Sequence, residues 1–266
     1  MIRDITLGQY YPTDSVLHRL DPRVKLCGTL VYIISLFLFQ SFTGYIVATL
    51  FLVSMIVLSH VPLSFMLKGL KAVFILLIIT AVLNCLLTPG RELVSFWRFS
   101  ITIEGLRMAG FMVLRIVYLI IGSSIMTLTT TPSSLTDGLE KGLGWMKILK
   151  VPVHEIAMMM SIALTFIPVL LEETDKIIKA QQARGADFDS GNLIRRVRAL
   201  VPILVPLFVS AFRRANDLAI AMEARCYRGG EGRTKLHPLK YAMRDAIAYV
   251  VLLLYLAGII VVGIIF

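Results

Sequence analysis

Five apolar runs, at 24–42, 44–61, 69–87, 109–129 and 246–266, constrain this chain more than any other feature. The hydrocarbon core of a bilayer is ~30 Å thick and takes ~20 residues of helix to cross. No water is present there to satisfy a backbone N–H or C=O, so spanning runs of this kind must be helical. Of the 266 residues, 57% are hydrophobic, more than a soluble domain can cover. The fold class is therefore an all-α integral membrane protein with about five transmembrane helices.

The first 23 residues are polar, with no apolar core leading to a small-residue cleavage site, so no removable leader is expected. An excess of 27 Lys and Arg over 17 Asp and Glu is also a mark of nucleic-acid binders. Here, however, the basic residues gather at the ends of apolar runs and in one polar region, as membrane topology requires. Nucleic acid is accordingly not an expected partner. The cysteines make no disulfide framework, since Cys27 and Cys85 lie in apolar runs and Cys226 in a basic segment placed in the cytosol.

With a cytoplasmic N-terminus, Arg3, Arg19, Arg23, Lys25, Lys68, Lys71 and the 17 Lys and Arg of 132–244 lie inside. Arg91, Arg98 and Arg107 lie outside, between the third and fourth runs. That asymmetry sets the orientation by the positive-inside rule and puts the C-terminus outside. Two shorter apolar stretches, 156–171 and 199–212, complicate the count. Taken as spans they give seven helices but carry Lys176, Lys179, Arg184, Arg195, Arg196 and Arg198 outside. The preferred reading makes them the apolar parts of long helices lying at the cytoplasmic membrane surface. Pro202 and Pro206, one turn apart, fit that reading better than an unbroken span.

From residue 131 onward three helices are expected. Thr131-Pro132-Ser133-Ser134 is a helix-start signal, and Val151-Pro152 breaks the short helix that follows. The second helix runs over about 153–183 and the third over about 193–224, separated by a loop at 187–192. Glu172 with Lys176, Asp175 with Lys179, and Arg213 with Asp217 are spaced to pair one turn apart. Gly229-Gly230-Glu231-Gly232 then forms a turn before the last span. The expected division is a four-span membrane domain at 1–130, a cytoplasmic helical domain at 131–243 and a C-terminal span at 244–266.

The two long helices end on near-copies of one motif: Ala183-Arg184-Gly185 and, 41 residues later, Ala224-Arg225-Cys226. An arginine in a last turn complements the partial negative charge of a helix C-terminus, and a Gly beyond it is an ordinary stop. Two copies in a membrane protein point further, to two equivalent prongs for a two-part partner. Cys226 departs from the Gly pattern. Cysteine takes the left-handed cap conformation reluctantly, so the second helix is expected to stop differently.

Other chemistry is thin. His154-Glu155 begins a zinc-protease pattern, but position 158 is Met, where that pattern needs a second His. His18, His60, His154 and His237 are too scattered for a metal site. No Gly-rich phosphate loop with its Lys-Ser/Thr end is present, so nucleotide must sit on another chain. Arg115, inside the fourth run, costs ~2.5–3.5 kcal/mol to insert. Pairing within the bundle, with Glu104 as one candidate, is preferred over a transport pathway. Asn84 is expected to bond between helices. Met158, Met159 and Met160 offer an adaptable packing surface, equally suited to a core or to several partners.

Gly8-Gln9-Tyr10-Tyr11-Pro12, the run Asp14 to Lys25, Leu139-Glu140, Val151-Pro152-Val153-His154-Glu155, Phe166-Ile167-Pro168, Leu171-Glu172-Glu173 and the paired tips together resemble one family. It comprises the transmembrane coupling subunits (T components, EcfT) of energy-coupling factor transporters, the ABC-type importers of vitamins and trace metals. The resemblance covers essentially the whole chain. It implies a non-catalytic subunit of a prokaryotic cell membrane, with no cofactor of its own and with ATP and Mg held by its partners. Those partners are two ABC-type ATPases (EcfA and EcfA′) and a substrate-binding S component, possible in several interchangeable forms, besides the bilayer itself. The three helices of 131–243 become coupling helices, two of them long and amphipathic. Ala183, Arg184, Gly185, Ala224, Arg225 and Cys226 inherit ATPase docking. The apolar halves, with Met158, Met159, Leu164, Pro168, Pro202, Leu204, Pro206 and Phe208, inherit S-component contact. The alternative is a self-contained secondary transporter, which calls for paired intramembrane charges or an internal repeat of broken helices. Neither is visible in the sequence.

Overall fold

A computed structural model describes residues 10–39, 41–96, 99–186, 193–230 and 238–265. The chain divides into two compact units, one of Gly8–Gly138 with Leu239–Phe266 and one containing Leu139–Pro238. The first holds α1 (Pro22–Leu38), α2 (Phe42–Ser59), α3 (Leu63–Leu87), α4 (Ile103–Thr129) and α8 (Met243–Ile265). The second holds α6 (Val153–Ala183) and α7 (Leu193–Ala224), preceded by a 3₁₀ turn at Leu143–Leu149. α5 (Pro132–Gly142) carries the chain from one to the other.

Helix starts follow from local chemistry. The Asp21 side chain accepts from the Arg23 amide at 2.9 Å, with Pro22 in the first turn of α1. Ser41 caps α2 through the Gly44 amide, and Thr131 Oγ1 accepts from the Ser134 amide at the start of α5, where the sequence signalled it. Thr102 Oγ1 accepts from the Gly105 amide at 3.0 Å and donates to the Thr88 carbonyl at 2.8 Å. It thereby caps α4 and ties it to the end of α3.

The core of the first unit is aromatic as much as aliphatic. Leu36, Met66 and Ile259 are fully buried, and the Phe51 and Tyr255 rings stack 4.1 Å apart. The Tyr255 and Ser35 hydroxyls lie 2.8 Å apart, and Tyr45 donates to the Phe111 carbonyl at 3.1 Å. Lipid tails are as apolar as leucine, so such interhelical bonds and close packing hold a membrane bundle together. A polar clasp closes one end. Asp245, 2% exposed, accepts from the Asp21 amide at 2.9 Å and the Ala242 amide at 2.7 Å. Asp21 in turn chelates the Arg23 guanidinium at 3.0 and 2.9 Å, and that group lies 3.9 Å over the Tyr241 ring.

Several expectations need correction. Among the described residues five unbroken helices are long and apolar enough to cross a membrane: Phe42–Ser59, Ile103–Thr129, Val153–Ala183, Ala199–Ala224 and Met243–Ile264. The number is the expected one, but the membership differs. The first expected run yields α1, whose 17 residues span only ~26 Å at 1.5 Å each. The third yields α3, bent by 61° between Lys71 and Val73, which makes a sixth candidate if counted as one broken span. α6 and the apolar part of α7 meet the same criterion. The segment between α3 and α4, read as a plain loop, forms an antiparallel hairpin of β1 (Glu92–Phe96) and β2 (Phe99–Thr102), with Ser95 opposite Ser100.

Arg115 does not meet Glu104. The Glu104 carboxylate accepts from the Arg91 amide at 2.7 Å, while Arg115 reaches the Phe39 carbonyl at 3.5 Å and lies 5.3 Å from the Phe37 ring centroid. Among the described residues Asn84 does not bond across helices either; its amide donates to the Thr80 carbonyl one turn back, at 2.8 Å. A side chain that can satisfy itself on its own helix needs no neighbour.

Candidate functional site: two arginine-tipped helices

α6 and α7 run 31 and 32 residues, each apolar in its first half and polar in its second. Their ends fall where the motifs place them, at Ala183 and Ala224. The loop expected at 187–192, and residues 231–232 of the following turn, lie outside the described residues.

The two tips share one backbone geometry. At the first, the Gly185 amide donates to Gln182 O at 2.9 Å and the Ala186 amide to Gln181 O at 3.0 Å. At the second, the Cys226 amide donates to Glu223 O at 2.8 Å and the Tyr227 amide to Met222 O at 3.0 Å. Both are Schellman endings, in which the residue after the cap turns left-handed and the next amide reaches back to the third carbonyl from the end. Gly185 has φ +85° and Cys226 φ +55°. The second helix therefore stops as the first does, against the expectation drawn from Cys226. The hydrogen bonds of the cap outweigh the reluctance of cysteine, ~1–2 kcal/mol for a left-handed side chain.

This geometry fixes where each arginine sits. Arg184 and Arg225 are the cap residues, and both are exposed. Among the described residues neither guanidinium has an ion-pair or hydrogen-bond partner. A guanidinium keeps its charge at any physiological pH and presents two parallel N–H groups to a carboxylate. Two such groups at the ends of long helices are ready to take acidic partners.

Behind the tips the helices brace each other. Arg214 of α7 donates to the Glu173 carboxylate of α6 at 3.0 Å. Beside this bridge Ile162, Phe166 and Leu170 of α6 line a groove with Ala215, Leu218 and Met222 of α7. Small alanines there let the backbones approach. The one-turn pairs read from the sequence (Glu172 with Lys176, Asp175 with Lys179, Arg213 with Asp217) do not close to ion-pair distance among the described residues. The bridge that forms joins two helices and could not be found from spacing within either. A second contact missed from sequence is His154 Nδ1 with the Glu140 carboxylate at 2.8 Å, fastening the start of α6 to the end of α5.

The apolar halves remain uncovered. On α7, Leu200, Val201, Leu204, Val205, Phe208, Val209 and Phe212 are all exposed. Of the other expected contact residues, Met159, Pro168, Pro202 and Pro206 are exposed, and Met158 and Leu164 half-buried.

Fold and tips together define a multi-pass membrane protein that presents paired cationic helix ends and a large uncovered apolar surface. Residues 13–236 match the family model CbiQ, described as cobalt transport protein. The energy-coupling factor transporter transmembrane protein EcfT of Clostridium kluyveri is 58% identical over 250 residues, 93% of each chain. Its namesake in Ruminiclostridium cellulolyticum is 49% identical over 266 residues, the full length of both. That of Bacillus subtilis is 48% identical over 259 residues, 97% of each. The chain belongs to this family, the transmembrane component of energy-coupling factor transporters, and is a membrane transport subunit rather than an enzyme.

Proposed function

We propose that this subunit transmits ATP-driven movement from two ABC-type ATPases, EcfA and EcfA′, to a substrate-binding S component in vitamin or trace-metal import. Arg184 and Arg225, with Ala183, Gly185, Ala224 and Cys226 around them, are the docking pegs, one for each ATPase. ATP and Mg are held by those partners. The apolar halves, over roughly Met158–Leu171 and Leu200–Phe212, receive the S component, in one or several interchangeable forms. Segment 131–243 acts as the cytoplasmic coupling domain, between the four-span domain 1–130 and the final span at 244–266. The N-terminus is cytoplasmic and the C-terminus extracellular.

The observation that carries the reading is the pair of matching Schellman tips, each with an exposed guanidinium that has no partner among the described residues. It also bears on how α6 and α7 lie. Were both to cross the membrane, Arg184 would face outside and Arg225 inside, and two equivalent pegs could not reach one cytosolic motor. Lying along the membrane surface, both tips reach the same compartment. The hypothesis is tested with Arg184→Glu and Arg225→Glu in the assembled transporter. Losing one partner of a docked charge pair costs ~2–5 kcal/mol, so each variant is expected to weaken ATPase co-purification and to abolish coupled uptake. If the double variant assembles and transports like the parent, the docking role is wrong.

A further inference from the structure

A cleft enters the bundle of the first unit between α1, α2, α4 and α8. Its walls are mostly apolar, including Leu20, Val24, Phe51, Leu52, Ile125 and Leu252, yet Lys25 also lines it. The Lys25 ammonium donates to the Thr129 carbonyl at 2.8 Å and the His18 carbonyl at 3.2 Å. An ammonium has three N–H groups, so among the described residues one remains without an acceptor. Among the described residues no carboxylate approaches it to ion-pair distance. The acids of the neighbouring clasp are engaged elsewhere, Asp21 by Arg23 and Asp245 by two backbone amides.

The cleft is also roomy on the lysine's own helix. A Cβ added at Gly28, one turn beyond Lys25 and part of the same lining, would meet nothing within 4 Å. A half-buried cation with no carboxylate at ion-pair distance among the described residues, beside an unfilled apolar wall in a membrane bundle, suits a ligand with an anionic end and a hydrocarbon body. A free anion would leave the wall unfilled, and a lipid without a phosphate would leave the charge unmet. We propose that this cleft holds one acyl chain of an anionic phospholipid, whose phosphate accepts the remaining N–H of Lys25. Such a lipid wedges between α1, α2, α4 and α8 as a structural ligand, independently of the arginine tips.

The test uses the full-length chain in neutral detergent, titrated with dioleoyl-phosphatidylglycerol or with dioleoylglycerol, which lacks the phosphate, and read by native mass spectrometry and thermal unfolding. One phosphatidylglycerol per chain is expected to bind preferentially and to raise the unfolding temperature. Lys25→Gln should weaken that lipid about fivefold, the scale of one lysine at an anionic surface, and erase the headgroup preference. Gly28→Leu should fill the cleft, leaving the lipid-free chain at least as stable while both lipids are lost. Equal binding of the two lipids by the parent chain would overturn the proposal. So would a folded Gly28→Leu chain that retains phosphatidylglycerol, or glycerol 3-phosphate displacing the lipid and reproducing its thermal shift, which would mark a plain phosphate site. Should Lys25→Gln fail to fold, the headgroup comparison and Gly28→Leu decide between these outcomes.

Discussion

Replacing Cys226 by glycine isolates the conformational energy of the second tip. Cys226 sits at φ +55°, where a side chain costs ~1–2 kcal/mol relative to the right-handed region. Glycine removes that cost but loses more freedom on folding, ~0.5–1 kcal/mol. Cysteine at this position is exposed, so little packing is lost. The net expectation is a firmer cap by about 0.5–1 kcal/mol, or roughly two- to fivefold slower exchange of the amides that close it. Those amides are Cys226 N–H, bonded to Glu223 O, and Tyr227 N–H, bonded to Met222 O. Gly185→Ala is the mirror experiment. A Cβ there meets nothing within 4 Å, so only its φ of +85° resists, and exchange at Ala186 should quicken by about as much. Hydrogen exchange read by mass spectrometry over 180–187 and 221–228 reports both. If Cys226→Gly leaves exchange at its own tip unchanged while Gly185→Ala quickens its own, the two endings are not conformationally equivalent and the argument fails.

Asp245→Ala deprives the Asp21 and Ala242 amides of their acceptor, at ~1–3 kcal/mol each, and should lower the unfolding midpoint of the purified chain. Asp245→Asn keeps one acceptor and should lose about half as much; equal midpoints for all three chains would refute the clasp. His18 is held neutral, with Nε2–H given to the Tyr11 carbonyl at 3.0 Å and Nδ1 receiving the Ser15 hydroxyl at 2.6 Å. Burial, helped by the charge of Lys25, lowers its pKa below the usual 6.5. Its contribution is therefore complete above that unfolded-state value and fades as pH falls through the lowered one. His18→Gln should flatten the loss of stability on going from neutral pH to about pH 5, and an unchanged profile would show that His18 is not its source.

What the sequence made legible and what it hid differ by the range of the interaction. The ends of α6 and α7 were readable because Pro152, Gly185 and the Ala-Arg pairs act on the residues beside them. The start of α5 was readable for the same reason, through Thr131 and Ser134. The hairpin at 92–102 escaped because strands of five and four residues carry no periodicity to detect. Partners of charged groups escaped because pairing is settled across helices. Glu104 and Arg115 lie on the same helix, α4, yet the Arg91 amide holds Glu104. Arg214 finds Glu173, 41 positions back. The shortfall of α1 as a span was hidden because the apolar sequence runs on past Leu38 to Phe39, whose backbone is extended rather than helical.

The proposed docking residues were singled out from the sequence, and the structure adds that both helices carrying them end in the same kind of cap. An arginine in a last turn has an ordinary electrostatic explanation that holds for any helix. That explanation fixes neither the residue after it nor the course of the chain beyond. Here two helices with different sequences before the tip, Lys179-Ala180-Gln181-Gln182 and Ile220-Ala221-Met222-Glu223, arrive at the same two backbone bonds and the same left-handed turn. In the second this happens although the turning residue has a side chain that disfavours it. Charge compensation needs no such turn, since any frayed end with an arginine would serve. A requirement that two helices end alike does need it, and that is the requirement the proposed docking to two ATPases would set.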